Sequence, residues 1–294
     1  MLISKNASKT LSEAISSQEK TYCSGLFLSA RWFVVSQVAE SGTHVIIMPD
    51  KESAEYCSAD LYSLVEGDRV FFLPDSGKNV ERSNYKSSLG VQRTSAVGSI
   101  LANAANASLL YVVTYPEALE EPIPGKAKIA GAALVLKKDE EMGRDHIVST
   151  LLSQNFARVD FVSAPGQFAV RGAVIDIFSY SNNDPFRISF FGDEIEKINV
   201  FDCNTQLSKE ERESVEIFPD IIASDTESED GMSILEILPE NTVVWLDSSD
   251  MYKGKNFFSS LEKFHRVFLE IPLSEQGVEP IKFSITPQPV FNKN

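Results

Sequence analysis

Between Gln167 and Phe201 the chain reads QFAVRGAVIDIFSYSNNDPFRISFFGDEIEKINVF, with apolar and other residues alternating along most of its length. Alternation with period two belongs to strands that have one covered and one uncovered face, so this stretch is committed to an antiparallel meander. Three strands are expected, at about 168–178, 186–191 and 194–201, with Gly192 and Asp193 forming a tight turn before the last. On that spacing Phe168, Val170 and Val174 share one side of the first strand, and Arg171 and Ile175 fall on the other. In the second strand Ile188 and Phe190 point inward while Arg187 and Ser189 point outward. Arginine beside isoleucine on an outward face is the composition of a docking surface rather than of a merely solvated one.

Charge narrows what could dock there. Lys and Arg number 27 against 42 Asp and Glu, a formal net charge of -15, and such a chain is repelled by phosphate backbones. A general nucleic-acid-binding role is therefore excluded, and a local basic patch on an acidic body suits a protein partner. Cys23, Cys57 and Cys203 are an odd count without a close pair, which fits a reducing compartment and neither a disulfide scaffold nor a thiolate metal site. His44, His146 and His265 are widely separated and lack ligand spacing, so no metal is expected. No basic-then-apolar leader is present, and no apolar run reaches the roughly 18 residues of a membrane span. The sequence reads as that of a cytoplasmic protein.

A length of 294 residues allows two or three domains. Up to about residue 120 strand and helix signals alternate: helices at about 8–19, 29–39 (capped by Ser29), 50–65 (capped by Asp50) and 91–105, and strands at about 44–48, 70–73 and 109–113. The short apolar runs HVIIM, VFFL and LLYVV suit strands buried on both faces of a parallel sheet. The run EEPIPGK then reads as a linker into an α+β block with a strand at about 129–136 and a helix at about 145–154. A second break is expected at the charged, exposed LSKEERE, about 207–213, followed by strands at about 214–218 and 242–246 with the acidic loop SDTESEDG between them. The last residues, TPQPVFNKN, read as a chain cut short.

One loop in the first block has phosphate-binding spacing without phosphate-binding chemistry. Gly25-Leu-Phe-Leu-Ser-Ala30-Arg31-Trp32 places Ala30 where a P-loop needs its second glycine, Arg31 where it needs lysine, and Trp32 where it needs a hydroxyl for magnesium. Tryptophan offers no oxygen ligand and its bulk obstructs a metal, so the loop is expected to persist as fold without hydrolysing nucleotide. A weaker match, Asp75 to Asn79, lacks the first glycine and reads as a surface turn. No nucleophile–base arrangement is recognisable.

The segments RVDFVSAPGQFAVRGAVIDIF and RISFFGDEIEKINVFD closely resemble the corresponding part of the transcription-repair coupling factors and of UvrB, an excision nuclease subunit. The likeness is strong over about 156–206 and weak in the first block. It implies an α/β fold in which a degenerate P-loop NTPase (RecA-like) domain is split by an inserted α+β UvrA-binding domain, with bounds of 1–120, 121–208 and 209–294. The decayed loop, and a polar 75–89 stretch too short for UvrB's DNA-inserting hairpin, place the chain with the coupling factors. The resemblance then implies a non-catalytic adaptor that recruits UvrA to stalled RNA polymerase. ATP and magnesium would serve a translocase module elsewhere in the family protein, RNA polymerase and DNA would be met only through domains outside this chain, and a C-terminal domain would mask the UvrA surface. A UvrB-type ATPase acting on damaged DNA is the alternative.

Residue by residue, the resemblance assigns UvrA contacts to Arg158, Arg171 and Arg187, with Ile175 as apolar anchor and Phe178 as a lesser one. Two positions depart from the pattern: Ala169 replaces an arginine, and Ser189 replaces UvrB's carboxylate. The competing role for Arg171 is a local ion pair with Asp176 or Asp160.

Overall fold

The computed structural model describes residues 2–3, 5–17, 20–65, 69–76, 83–182, 184–220, 231–247, 252, 254–271 and 277–286. The turn expected at Gly77 to Asn79, most of the acidic loop and nearly all of the final TPQPVFNKN lie outside these residues. Contacts divide the chain into two units, one built from Met1–Asp75, Ile100–Glu121 and Ser233–Asn294, the other from Ser76–Ser99 and Pro122–Met232.

The first unit is a parallel sheet. Its strands are β2 (Lys20–Ser24), β3 (Thr43–Ile47), β4 (Val70–Phe72), β5 (Leu110–Thr114), β14 (Val243–Leu246), β15 (His265–Phe268) and β16 (Ile281–Lys282), in the order β16-β2-β15-β14-β3-β5-β4. Strands β3, β5 and β14 are buried at every residue, which explains why their sequences are continuous apolar runs without alternation. The later segment of the chain contributes β14 and β15 between β3 and β2, so the middle of the sheet joins strands distant in sequence. Helices α1 (Lys5–Ser17), α2 (Ala30–Val38) and α3 (Lys51–Leu64) supply Leu11, Trp32, Val35, Ala54 and Leu61 to the same core as Ile46, Val113 and Trp245. Asp50 caps α3 as expected, accepting from the Ser53 amide at 2.8 Å. Ser29 stands at the N-cap of α2 but makes no cap bond; its hydroxyl donates to Asp60 at 2.7 Å.

The fourth helix, α4 (Ser83–Asn106), is longer than expected and runs from the second unit into the first, where Asn103 donates to Thr43 Oγ1 at 3.1 Å. Short α5 (Pro116–Glu120) and the pair β1 (Leu2–Ile3) with β17 (Ile285–Thr286) complete this unit. Burial raises the thiol of Cys23 to about 12 and that of Cys57 well above its ordinary range, so neither serves as a reactive thiolate.

The second unit carries the meander, and here the strand count changes. The expected first strand is two: β8 (Gln167–Arg171) and β9 (Val174–Phe178), reversing at Gly172 and Ala173. Gly172 has φ +58° and Gly192 has φ +65°, the left-handed backbone that a two-residue hairpin needs at its first turn position. Together with β7 (Ala157–Arg158), β10 (Phe186–Phe191), β11 (Glu194–Phe201) and β12 (Ser208–Arg212) they form a sheet ordered β12-β11-β10-β9-β8-β7.

The remaining differences have local causes. The expected strand at 129–136 is helix α6 (Lys126–Ala132) followed by β6 (Leu134–Lys137); Ala and Lys in KAKIAGA favour helix over the apolar run. The charged break at 207–213 contains β12, an edge strand exposed at all its residues, whose charges guard the free edge. Strand β13 (Ser214–Ile217) pairs antiparallel with β6, so the inserted unit continues to Met232 rather than ending at 208. Helix α7 (Arg144–Ser153) sends Ile147 and Leu151 into the core with Phe168, Ile175, Ile188 and Ile198, covering one face of the sheet.

His44 gives the first unit a pH dependence. Its buried ring accepts from Trp245 Nε1 at 3.0 Å through Nδ1 and lies 3.2 Å from the Ser41 carbonyl through Nε2, an arrangement satisfied by the neutral ring. Burial lowers its pKa from 6.5 to about 4. The unfolded chain therefore binds the extra proton between those values, so the stabilisation is complete above pH 6.5 and is lost as pH falls toward 4, by up to about 3 kcal/mol. Both tryptophans, Trp32 and Trp245, lie in this unit, so denaturant titrations followed by their fluorescence report it. The His44→Gln variant is expected to lose this part of the pH slope; an unchanged slope would contradict the assignment.

Candidate docking surface

The uncovered face of the meander is organised around one carboxylate. Register places Ala169 opposite Asp176, Arg171 opposite Val174, and Arg187 opposite Asp176, so these residues share the face that α7 does not cover. The Asp176 side chain is wholly buried, yet it accepts from Arg171 Nη2, from Arg187 Nε at 2.7 Å and from Arg187 Nη2 at 2.9 Å. Arg187 also donates to the Gln206 side chain at 2.9 Å and backbone at 3.3 Å, and lies 4.2 Å over the Phe201 ring. The hydrogen bond to Asp176 raises the Arg187 pKa further above its already high value. Arg171 lies 5.1 Å over Phe161. Phe161, Arg171, Val174, Arg187 and Gln206 line an open cavity of about 480 Å³.

The expected contact residues do not all meet. Arg171 and Arg187 come together through Asp176. Arg158 is exposed on edge strand β7, where its parallel partner is core residue Phe168 and where Phe156, two residues earlier, is buried; it therefore lies on the opposite face. Ile175 is also displaced from its expected place. The reversal at Gly172 pairs Arg171 with Val174 and Val170 with Ile175, which turns Ile175 into the core. Phe178 is buried too, packed with Val162 and Ala169. The exposed apolar groups on this side are others: Phe161, 65% exposed, and Phe191, 78% exposed. Phe191 was legible from parity, two and four residues beyond outward Ser189 and Arg187; Phe161 lies outside the alternating strands and gave no such signal.

In the first unit the phosphate-spaced loop is closed by its own groups. Gly25 adopts φ +80°, and a Cβ there would come within 2.2 Å of the Phe283 carbonyl. The amides of Ala30 and Arg31 donate back to the carbonyls of Phe27 and Leu28, both at 3.2 Å, instead of facing outward. Arg31 pairs with Asp247 at 2.6 Å, just beyond β14, and with Glu270, just beyond β15. Desolvation raises the Asp247 pKa while Arg31 opposes that rise. Trp32 is buried in the core. This donor set does not fit nucleotide phosphates and magnesium.

Residues 134–221 match the family model described as UvrB interaction domain. The match runs from β6 through β13 and contains the whole arginine face. The chain is 39% identical over 89 residues to a transcription-repair-coupling factor of Escherichia coli, covering 30% of this chain and 8% of that protein. It is 28% identical over 198 residues to that of Bacillus subtilis, covering 66% and 16%. It is also 35% identical over 127 residues to UvrABC system protein B of Chlorobium phaeobacteroides, covering 43% and 18%. The chain thus matches less than a fifth of the length of each of these relatives.

Burial assigns different costs to the apolar residues of the matched segment. Ile175→Ala is expected to destabilise this unit by about 2–5 kcal/mol. Phe191→Ala, at an exposed site, is expected to change stability by less than about 0.5 kcal/mol. Amide exchange in β8–β11 reads both; equal effects would place Ile175 outside the core.

Proposed function

We propose that the chain is a non-catalytic module of a transcription-repair coupling factor that docks UvrA through the uncovered face of its inserted unit, so that excision repair is brought to stalled RNA polymerase. Arg171 and Arg187, held by Asp176 and flanked by Phe161 and Phe191, are the observation that carries this reading. Buried aromatic and arginine anchors dominate protein interfaces, and here both kinds stand on one face of a segment matching the UvrB interaction domain. Arg158 contributes from the edge strand at most as a rim charge. RNA polymerase and DNA would be engaged through other parts of the longer protein.

The first unit, on this reading, is a degenerate P-loop NTPase (RecA-like) domain split by the inserted unit and retained as scaffold. Arg31, saturated by Asp247 and Glu270, and the inward-turned loop amides support that role.

Two titrations test the proposal. Replacing Arg171 by alanine, which leaves Arg187 on Asp176, is expected to weaken binding to purified UvrA by at least about 30-fold with the amide protection of β8–β11 retained, since loss of a central arginine costs about 2 kcal/mol. Unchanged affinity would remove this face from the interface. Calorimetry with Mg-ATP is expected to give no saturable heat; micromolar binding would favour the UvrB-type ATPase instead.

A further inference from the structure

The turn between β11 and β12 is tied to the arginine face, and what it does there rests on the docking reading above. Gln206 lines the same cavity as Phe161, Arg171 and Val174. It takes up Arg187 twice: Nη2 donates to the Gln206 side-chain oxygen at 2.9 Å, and Nη1 donates to the Gln206 backbone carbonyl at 3.3 Å. Arg187 also gives Nε and Nη2 to Asp176 and lies over the Phe201 ring. Most of its donors are therefore used inside the protein. Arg187 braces the turn against the middle of the sheet.

The turn itself is held from several sides. Asp202 Oδ1 accepts from the amides of Asn204 at 2.9 Å and Thr205 at 2.8 Å. The Asp202 amide donates to the Leu207 carbonyl at 2.9 Å, and the Gln206 amide donates to the Asp202 carbonyl at 2.7 Å. Gln206 adopts φ +62°, in the left-handed region where glycine is the least costly residue. Its side chain accounts for a glutamine there, reaching Arg187 through its oxygen and donating to the Cys203 carbonyl at 2.8 Å through its nitrogen. Leu207, next in sequence, is 69% exposed. Single exposed leucines are ordinary on protein surfaces. This one stands on a fixed support that hydrogen bonds connect to the docking face, and a group already fixed in place loses little freedom on binding.

We infer that Leu207 is a contact residue for UvrA, and that Gln206 and Arg187 are positioning residues that hold it at the edge of the cavity. The docking face then extends from Arg171, the accessible arginine, to an apolar contact on the β11–β12 turn.

Calorimetric titration of purified UvrA with the full chain, for Leu207→Ser, Gln206→Gly and the double variant, tests this. Leu207→Ser is expected to weaken binding at least about 10-fold, as loss of one buried leucine contact does, with the amide protection of β10–β12 unchanged. Glycine suits φ +62°, so Gln206→Gly should keep the turn folded while weakening binding about 3-fold or more through the lost side-chain brace. In the Leu207→Ser background it should weaken binding no further, because a positioning residue acts only through the side chain it positions. Unchanged affinity of Leu207→Ser would overturn the inference, and so would equal losses from Gln206→Gly in both backgrounds. Arg171→Ala separates this from the docking reading. If it weakens binding and Leu207→Ser does not, the face stands and the turn is removed from it. If Leu207→Ser weakens binding and Arg171→Ala does not, the turn stands as a contact and the arginine reading falls.

Discussion

A carboxylate with no exposed surface organises the inserted unit's free face. Asp176 sits in the third-from-edge strand β9, accepting from Arg171 of β8 on one side and Arg187 of β10 on the other. Burying that charge alone would be strongly unfavourable; two guanidinium partners make it tenable, and in turn hold both arginines against the sheet. Ion pairing and docking are compatible roles. Arg171 gives only its Nη2 to Asp176 and keeps donors for the docking proposed above, whereas Arg187 is held by both Asp176 and Gln206.

The same chemistry has the opposite result in the first unit. Arg31 meets two carboxylates, and its side chain is only 15% exposed, against 37% for Arg171. Its charge is thus satisfied from within, and the loop that carries it turns its amides inward. One arginine closes a site that its loop spacing would otherwise suggest; of the other two, Arg171 stays accessible, while Arg187, 21% exposed, is packed over Phe201. Residue type alone does not separate these outcomes; the number of acids that the fold delivers does.

This difference also marks what was legible in the sequence. The buried parallel strands β3 and β5 announced themselves as apolar runs, and the bounds of β10 and β11 were readable from alternation, unbroken in β10 but interrupted in β11 by a bulge at Glu196. That Ala30, Arg31 and Trp32 offer no second glycine, lysine or hydroxyl was readable from residue types. What could not be read was pairing across distance: Arg31 with Asp247 and Glu270, or β14 and β15 entering between β3 and β2. Ile175 was misplaced for a smaller reason. Gly172 and Ala173 reverse the chain, and a two-residue turn shifts the parity of everything that follows it. Phe191 is outward by parity, yet it follows inward Phe190 in a pair whose composition is that of a core. Similarly, Ala and Lys in α6 were outweighed by the apolar residues of the β6 segment beside them.

The central claim is that Asp176 and Arg187 act as a coupled unit within the sheet, and a double-mutant cycle tests it most directly. Native-state hydrogen exchange of β9 and β10 amides would be measured for Asp176→Asn, Arg187→Gln and the double variant. Strong coupling is predicted, with the double variant about 1.5 kcal/mol or more better protected than the sum of the single losses implies. Losses that add within about 0.5 kcal/mol would contradict it, leaving the two residues as independent occupants of one face.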